Sequence, residues 1–70
     1  MAEDLSRLRF ALIGYGEVGR ILGRALSAHR PASMRAFGKL PAPLARARED
    51  GVEPTDSAVL AVKDADLVVC

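Results

Sequence analysis

The sequence contains very few of the residues that build disulfide frameworks and metal centres. Cysteine and histidine each occur once, as Cys70 and His29. One cysteine cannot form an internal disulfide, and the two side chains together cannot supply the three or four ligands of a zinc centre. We therefore expect no disulfide and no metal site, and we place His29 at the surface and Cys70 in a buried strand.

An excess of one charge and long apolar runs are missing as well. Ten basic and nine acidic residues leave a formal net charge of +1 at pH 7. Nucleic-acid-binding modules normally carry a clear basic excess on one face, so a nucleic-acid partner is not expected. No apolar run reaches the ~18 residues of a membrane span, and residues 1–9 lack the apolar centre of a signal peptide. These absences favour a cytoplasmic protein without a membrane partner.

Half of the 70 residues are hydrophobic, a fraction too high for a disordered tail or a solvated linker. The length allows one small domain. A chain of this size buries only ~60% of the surface that its unfolded form exposes, and it is marginally stable without staples or partners. We therefore expect the chain to be a fragment of a larger protein.

Apolar patterning predicts alternating strands and helices. Arg9–Ile13 is a continuous apolar run, as in a parallel strand that is covered on both faces. An amphipathic helix follows, with its apolar stripe at Val18, Ile21, Leu22, Ala25 and Leu26. The other predicted elements are a frayed or disordered segment over residues 1–8, a strand over Ser33–Phe37, a helix over Leu44–Asp50 ended by Gly51, a strand at Val52–Glu53, a helix from Thr55 or Asp56 to Lys63, and a strand over Leu67–Cys70. This order predicts an α/β fold with a parallel sheet and helices on both faces.

The most informative segment lies between the first strand and the first helix. It has the pattern GxGxxG and reads Gly14-Tyr15-Gly16-Glu17-Val18-Gly19. In a dinucleotide-binding turn the first glycine makes the tight turn, the second lets backbone approach a pyrophosphate, and the third lets helix and strand pack closely. A helix that begins near Glu17 would direct its free N–H groups at the anion.

This context predicts that residues 9–70 form part of a Rossmann-type sheet: the first βαβαβ half and the fourth strand, with the substrate domain absent. The six residues of the turn are then the candidate cofactor-binding residues. We expect Tyr15 to form a wall of the cofactor pocket and Glu17 to point to solvent. The alternative is a strand-to-helix turn that needs glycine only for its backbone geometry.

The end of the second strand bears on the choice of cofactor. In NAD-binding domains a carboxylate at this place binds the ribose 2′-hydroxyl. Here the strand is followed by Gly38 and Lys39, and no Asp or Glu occurs between Val18 and Arg48. We therefore expect NADP in preference to NAD, with Lys39 contacting the 2′-phosphate. Two arginines are weaker candidates for this contact: Arg35 and Arg46.

Two stretches resemble the β-hydroxyacid dehydrogenase group, which includes 6-phosphogluconate and 3-hydroxyisobutyrate dehydrogenases. They are FALIGYGEVGRILGRAL, from Phe10 to Leu26, and GVEPTDSAVLAVKDADLVVC, from Gly51 to Cys70. The group often has Met where this chain has Val18, and it often has Asn-Arg or Asp-Arg where this chain has Gly38-Lys39. The resemblance implies a Rossmann fold and an oxidoreductase that uses NADP or NAD.

The resemblance also implies what the chain lacks. The group places its catalytic lysine and its substrate-binding residues beyond the Rossmann domain, and no catalytic set of residues can be assembled from this sequence. A small hydroxy acid is therefore expected as substrate only in a complete protein, which could be a homodimer. Alternatives are an imine or pyrroline reductase, a nucleotide-binding regulatory module without catalysis, and an interaction fragment without a ligand.

Overall fold

A parallel β-sheet forms the centre of the protein. The computed structural model describes residues 5–70 and, within that range, contains four strands in the order β3-β2-β1-β4. Their bounds are Arg9–Ile13 for β1, Ser33–Phe37 for β2, Glu53–Thr55 for β3 and Leu67–Val69 for β4. In the central pairing Phe10 lies opposite Met34 on one side and opposite Leu67 on the other. The predicted α/β fold is confirmed, and its topology is that of a partial Rossmann-like sheet.

Helices cover both faces of this sheet. The bounds are Glu17–Ser27 for α1, Pro41–Glu49 for α2 and Ala58–Val62 for α3. The first two pack against each other and against the face that carries Phe10, Leu12 and Met34. Side chains alternate between the faces of a strand, so Arg35 belongs to the opposite face, where it bonds to carbonyls of α3. None of the helices in residues 5–70 has the length and apolarity that a membrane span requires.

The hydrophobic core lies between the sheet and the α1–α2 layer. Alternate residues of β1 and β2 point into it, as expected for strands whose successive side chains face opposite ways. Its buried members are Phe10, Leu12, Tyr15, Met34, Ala36, Ala47 and Val52, with Leu8, Leu22, Leu26 and Val69 packed around them. Both ends of the described chain therefore contribute to one core.

The structure places several element boundaries differently from the sequence prediction. Helix α2 begins at Pro41 rather than Leu44, because proline is tolerated in the first turn, where the N–H groups have no intrahelical partner. Strand β3 is Glu53–Thr55 rather than Val52–Glu53. The N-cap of α3 is Ser57, whose hydroxyl accepts a hydrogen bond from the Leu60 N–H at 3.2 Å, and not Thr55 or Asp56.

The N-terminal segment was expected to be frayed or disordered over residues 1–8. Residues 1–4 lie outside the described part of the chain. Leu5–Arg7 forms a 3₁₀-helix, and the carbonyl of Leu8 accepts a hydrogen bond from the Ala32 N–H at 2.8 Å. Leu8 also packs against the core. The described part of this segment is therefore attached to the sheet.

The apolar stripe predicted for α1 is only partly buried. Leu22 and Leu26 pack against the core, whereas Val18 is 77% exposed and Ile21 is 65% exposed. The helix is rotated toward its small residues, since Gly23 is the position it buries. The same is true of α3, which buries Ala61 and exposes Val59, Leu60 and Val62. Hydrophobicity predicted Leu22 and Leu26 correctly, but it missed the buried small residues Gly23 and Ala61.

Candidate functional site

The turn between β1 and α1 has the backbone geometry that requires glycine at its first position. Gly14 has φ +101°, in the region that L-residues rarely adopt. Its N–H donates to the carbonyl of Phe37 at 2.8 Å, which ties the turn to the end of β2. The chain can therefore leave β1 and turn sharply into the helix.

Gly19 sets the distance between α1 and the turn. A Cβ built at this position would lie 2.8 Å from the carbonyl oxygen of Gly14, a backbone atom that cannot move away cheaply. Any larger residue would therefore push the helix away from the strand. The packing role predicted for the third glycine is confirmed by this contact.

Gly16 has open space where a side chain would stand. It is the N-cap residue of α1, with φ −76° and ψ −157°, and a Cβ built on it meets no atom within 4 Å. An alanine could adopt this extended backbone. The local fold therefore does not require glycine at this position.

The N-terminus of α1 also offers unsatisfied hydrogen-bond donors. No side chain caps the helix, and its first backbone bond runs from the Arg20 N–H to the Gly16 carbonyl at 2.9 Å. Within residues 5–70, the N–H groups of Gly16, Glu17 and Val18 have no backbone or side-chain acceptor. Free N–H groups at a helix start, together with the helix dipole, form an anion-binding arrangement.

A cavity of about 360 Å³ lies beside this turn. Its lining comes from the ends of β1 and β4, from the turn and from the first turns of α1: Leu12, Ile13, Gly14, Gly16, Glu17, Val18, Gly19, Leu22, Val69 and Cys70. The chain runs from β1 outward to β2 and β3 and then returns to β4 on the other side of β1. The cavity therefore lies at the point where the strand order reverses, the usual ligand position in open α/β sheets.

Cys70 was predicted to lie in the core because its neighbours are apolar, and this prediction is wrong. It follows β4, is exposed, and lines this cavity. The reason is that β4 ends at Val69, so the next residue lies at the carboxyl edge of the sheet rather than within it. Glu17 is exposed at the same edge, as expected.

Tyr15 does not form a wall of the cavity. Its side chain is only 2% exposed and belongs to the hydrophobic core. The ring lies against Gly23 of α1, where a Cβ would come within 2.6 Å of the tyrosine Oη. The hydroxyl donates a hydrogen bond to Asp50 Oδ2 at 2.8 Å. Tyr15 therefore points away from the cavity and toward the end of α2.

Asp50 is the centre of the polar contacts between α1 and α2. Its Oδ2 also accepts from Arg20 Nε at 3.1 Å, and its backbone carbonyl accepts from Ser27 Oγ at 3.0 Å. The hydrogen bond from Tyr15, followed by that from Arg20, lowers the pKa of the Asp50 carboxyl against the opposing effect of burial. Burial, and then the same Asp50 carboxylate, raises the pKa of Tyr15. Sequence reasoning missed Asp50, because 35 residues separate it from Tyr15 and no local pattern connects them.

Gly38 and Lys39 lie beside the turn, at the end of β2. The Gly38 N–H donates to the Thr55 carbonyl at 3.1 Å, and a Cβ on Gly38 would stand 3.2 Å from Leu44 Cδ2. The Lys39 side chain is exposed, and within the described part of the chain it has no hydrogen-bond or ion-pair partner. Lys39 does not line the glycine-turn cavity.

The two weaker candidates for a phosphate contact differ in position. Arg46 lines a cleft of about 290 Å³ together with Gly16, Glu17 and Arg20. Arg35 is on the opposite face of the sheet, where its Nη1 donates to the carbonyls of Leu60 and Lys63 at 3.0 and 3.4 Å. Arg35 is therefore wrong as a cofactor contact, because it binds the C-terminal end of α3.

The described residues hold no group of three or more His, Cys, Asp or Glu side chains placed to bind a metal. Comparison with protein-family models finds no matching family, and comparison with curated proteins finds no matching relative.

Proposed function

We propose that the glycine turn binds the pyrophosphate of an NADP or NAD dinucleotide. One observation supports this most strongly: Gly16 faces open space at a helix start whose N–H groups have no acceptor in residues 5–70. A pyrophosphate would accept hydrogen bonds from the N–H groups of Gly16, Glu17 and Val18. The adjacent cavity at the strand-order reversal would take the rest of the ligand.

NADP is the preferred form of this cofactor. The NAD-type carboxylate is missing after β2, and Lys39 stands there with an unpaired ammonium among the described residues. A lysine attracts a 2′-phosphate that a carboxylate would repel. Glu17 is the acidic residue of the turn, and its exposed side chain can point to solvent, away from a bound phosphate.

The oxidoreductase role comes from the resemblance to 6-phosphogluconate and 3-hydroxyisobutyrate dehydrogenases. In such a protein the bound cofactor supplies hydride transfer, and the polypeptide orients it. This chain would contribute the binding of the phosphates and one wall of the cofactor cavity. A cytoplasmic location and a small hydroxy-acid substrate belong to the same proposal, with the substrate-binding residues on another part of the complete protein.

The substitution Gly16→Ala tests the site directly. Its methyl group would enter open space, so the thermal unfolding temperature should stay close to that of the parent chain, with a free-energy change within ~1 kcal/mol. The same methyl group would occupy the place of the pyrophosphate. Calorimetric titration with NADPH should show a loss of affinity of at least roughly tenfold, equivalent to ~1.4 kcal/mol.

Val59→Ala serves as the matched control. Its side chain is 75% exposed on α3, on the opposite face of the sheet, and its truncation should change neither folding nor NADPH binding. Equal NADPH affinity in the parent chain, in Gly16→Ala and in Val59→Ala would contradict the phosphate site. A parent chain that folds but does not bind NADPH, NADH or pyrophosphate would contradict it as well.

A further inference from the structure

The glycine turn contains residues that give its backbone conformational freedom, but one side chain anchors it in the core. Gly14 and Gly16 flank Tyr15, and glycine gives the backbone more freedom than any other residue. Tyr15 is buried to 98%, and its ring fills the space above Gly23. The side chain in the middle of the turn is thus held in the core, while the backbone on either side of it faces the ligand region.

The anchor continues into a second helix. The Tyr15 hydroxyl donates to Asp50 Oδ2 at 2.8 Å, and Arg20 Nε donates to the same oxygen at 3.1 Å. Asp50 follows the last residue of α2, and its side chain is only 8% exposed. Arg20 is the fourth residue of α1, so the glycine turn, α1 and α2 meet at one carboxylate oxygen.

We infer that Tyr15 is a positioning residue for the proposed phosphate site: through its hydrogen bond to Asp50, it holds the peptide groups of the glycine turn in their binding geometry. The inference rests on the proposed function. Tyr15 itself does not contact the phosphate, because its side chain points into the core. When the turn is already fixed, binding does not require the free energy of ordering it, and the affinity for the ligand is higher.

A positioning role for Tyr15 differs from ordinary core packing because it affects the folded binding site and not only the stability of the fold. Removal of a packing contact lowers the free energy of unfolding but leaves the folded site as it was. Removal of the Tyr15 hydroxyl keeps the ring and frees the turn within the folded protein. Linkage is reciprocal, so ligand binding must also favour the hydrogen bond from Tyr15 to Asp50.

The sequence supplies a spectroscopic probe for this bond. Tyr15 is the single tyrosine of the chain, which contains no tryptophan. Near-ultraviolet-excited emission therefore reports on this residue alone, and a hydrogen bond to a carboxylate quenches it. Inorganic pyrophosphate is the suitable titrant, because it lacks the absorbing rings of a dinucleotide.

The experiment compares pyrophosphate binding to the full 70-residue chain and to three variants, at a temperature where circular dichroism shows each of them folded. Tyr15→Phe should raise the dissociation constant roughly five- to tenfold, the size expected when about one residue must be ordered on binding. Asp50→Asn keeps an acceptor oxygen for the Tyr15 hydroxyl, so its dissociation constant should lie between those of Tyr15→Phe and the parent. Pyrophosphate should lower the emission of the parent chain.

Ser27→Ala is the matched control, because it removes another α1–α2 hydrogen bond that Asp50 accepts, at 3.0 Å, without touching the turn. It should lower the unfolding temperature and keep the parent's affinity. If Tyr15→Phe behaves like Ser27→Ala, with lower stability and unchanged affinity, Tyr15 is a packing residue and the inference is overturned while the phosphate site stands. If the folded parent does not bind pyrophosphate, both fail.

Discussion

Gly23→Ala is the substitution for which local and tertiary reasoning predict opposite results. Gly23 is an interior residue of α1, where replacing glycine with alanine favours the helix by ~1 kcal/mol. In the folded protein the new Cβ would lie 2.6 Å from Tyr15 Oη, 2.8 Å from Cε1 and 3.1 Å from Cζ. Carbon and oxygen atoms do not approach so closely without displacement of the tyrosine.

The size of the effect follows from how firmly Tyr15 is held. The ring is 2% exposed, and its hydroxyl bonds to Asp50, so displacement costs packing and the hydrogen bond together. Overpacking of a core costs ~1–3 kcal/mol, against the ~1 kcal/mol gained by the helix. With part of the hydrogen bond lost as well, we expect a net destabilisation of about 1–2 kcal/mol. For a domain of this length this lowers the melting temperature by roughly 5–15 °C.

Urea denaturation and thermal circular dichroism of the parent and of Gly23→Ala measure this difference in the free energy of unfolding. Ala25→Gly, at an exposed position of the same helix, is the control for propensity and should destabilise by about 1 kcal/mol. In the Tyr15→Phe background the closest atom is gone, so the cost of Gly23→Ala should shrink. A Gly23→Ala chain more stable than its parent would refute the tertiary reasoning.

Four further outcomes are expected. Arg35→Ala should destabilise by about 1 kcal/mol in urea denaturation, because α3 loses the guanidinium bound to its C-terminal carbonyls; an unchanged midpoint would contradict this. The lowered pKa of Asp50 stabilises the fold above pH 3.8, and this contribution disappears as the pH falls through the folded value, so Asp50→Asn should flatten the acid limb of a stability–pH profile. The raised pKa of Tyr15 acts at the other end, and Tyr15→Phe should weaken the loss of stability above pH 10.0. Lys39→Ala should reduce NADPH affinity more than NADH affinity, and equal losses would remove Lys39 from the 2′-phosphate contact.

Three of the four strands were predictable because β1, β2 and β4 each carry a local apolar pattern, whereas β3 does not and was predicted at Val52–Glu53. Arg9–Ile13 and Leu67–Val69 are apolar runs next to turns, and their pairing follows from the handedness of the crossovers. Gly51 was correctly predicted to end α2 with a left-handed residue, and it has φ +82°. The roles of Gly14 and Gly19 in the turn follow equally from spacing, because backbone geometry leaves no other residue suitable.

The anchoring of the turn was not predictable in the same way. Nothing around Tyr15 in the sequence indicates that its side chain points away from the cavity and reaches Asp50, since the absence of a side chain at Gly23 makes room for the ring. Arg35 likewise has the same charge as Lys39, and only the structure shows that its guanidinium binds the carbonyls of Leu60 and Lys63. Contacts between distant residues depend on packing, which a local pattern does not record.

The most direct test of the proposed phosphate site is calorimetric titration of the folded chain with NADPH and, separately, with NADH. We expect both dinucleotides to bind saturably at one site per chain, NADPH more tightly than NADH, and inorganic pyrophosphate to compete for that site. No binding of either dinucleotide by a chain whose circular dichroism shows the α/β fold would contradict this expectation.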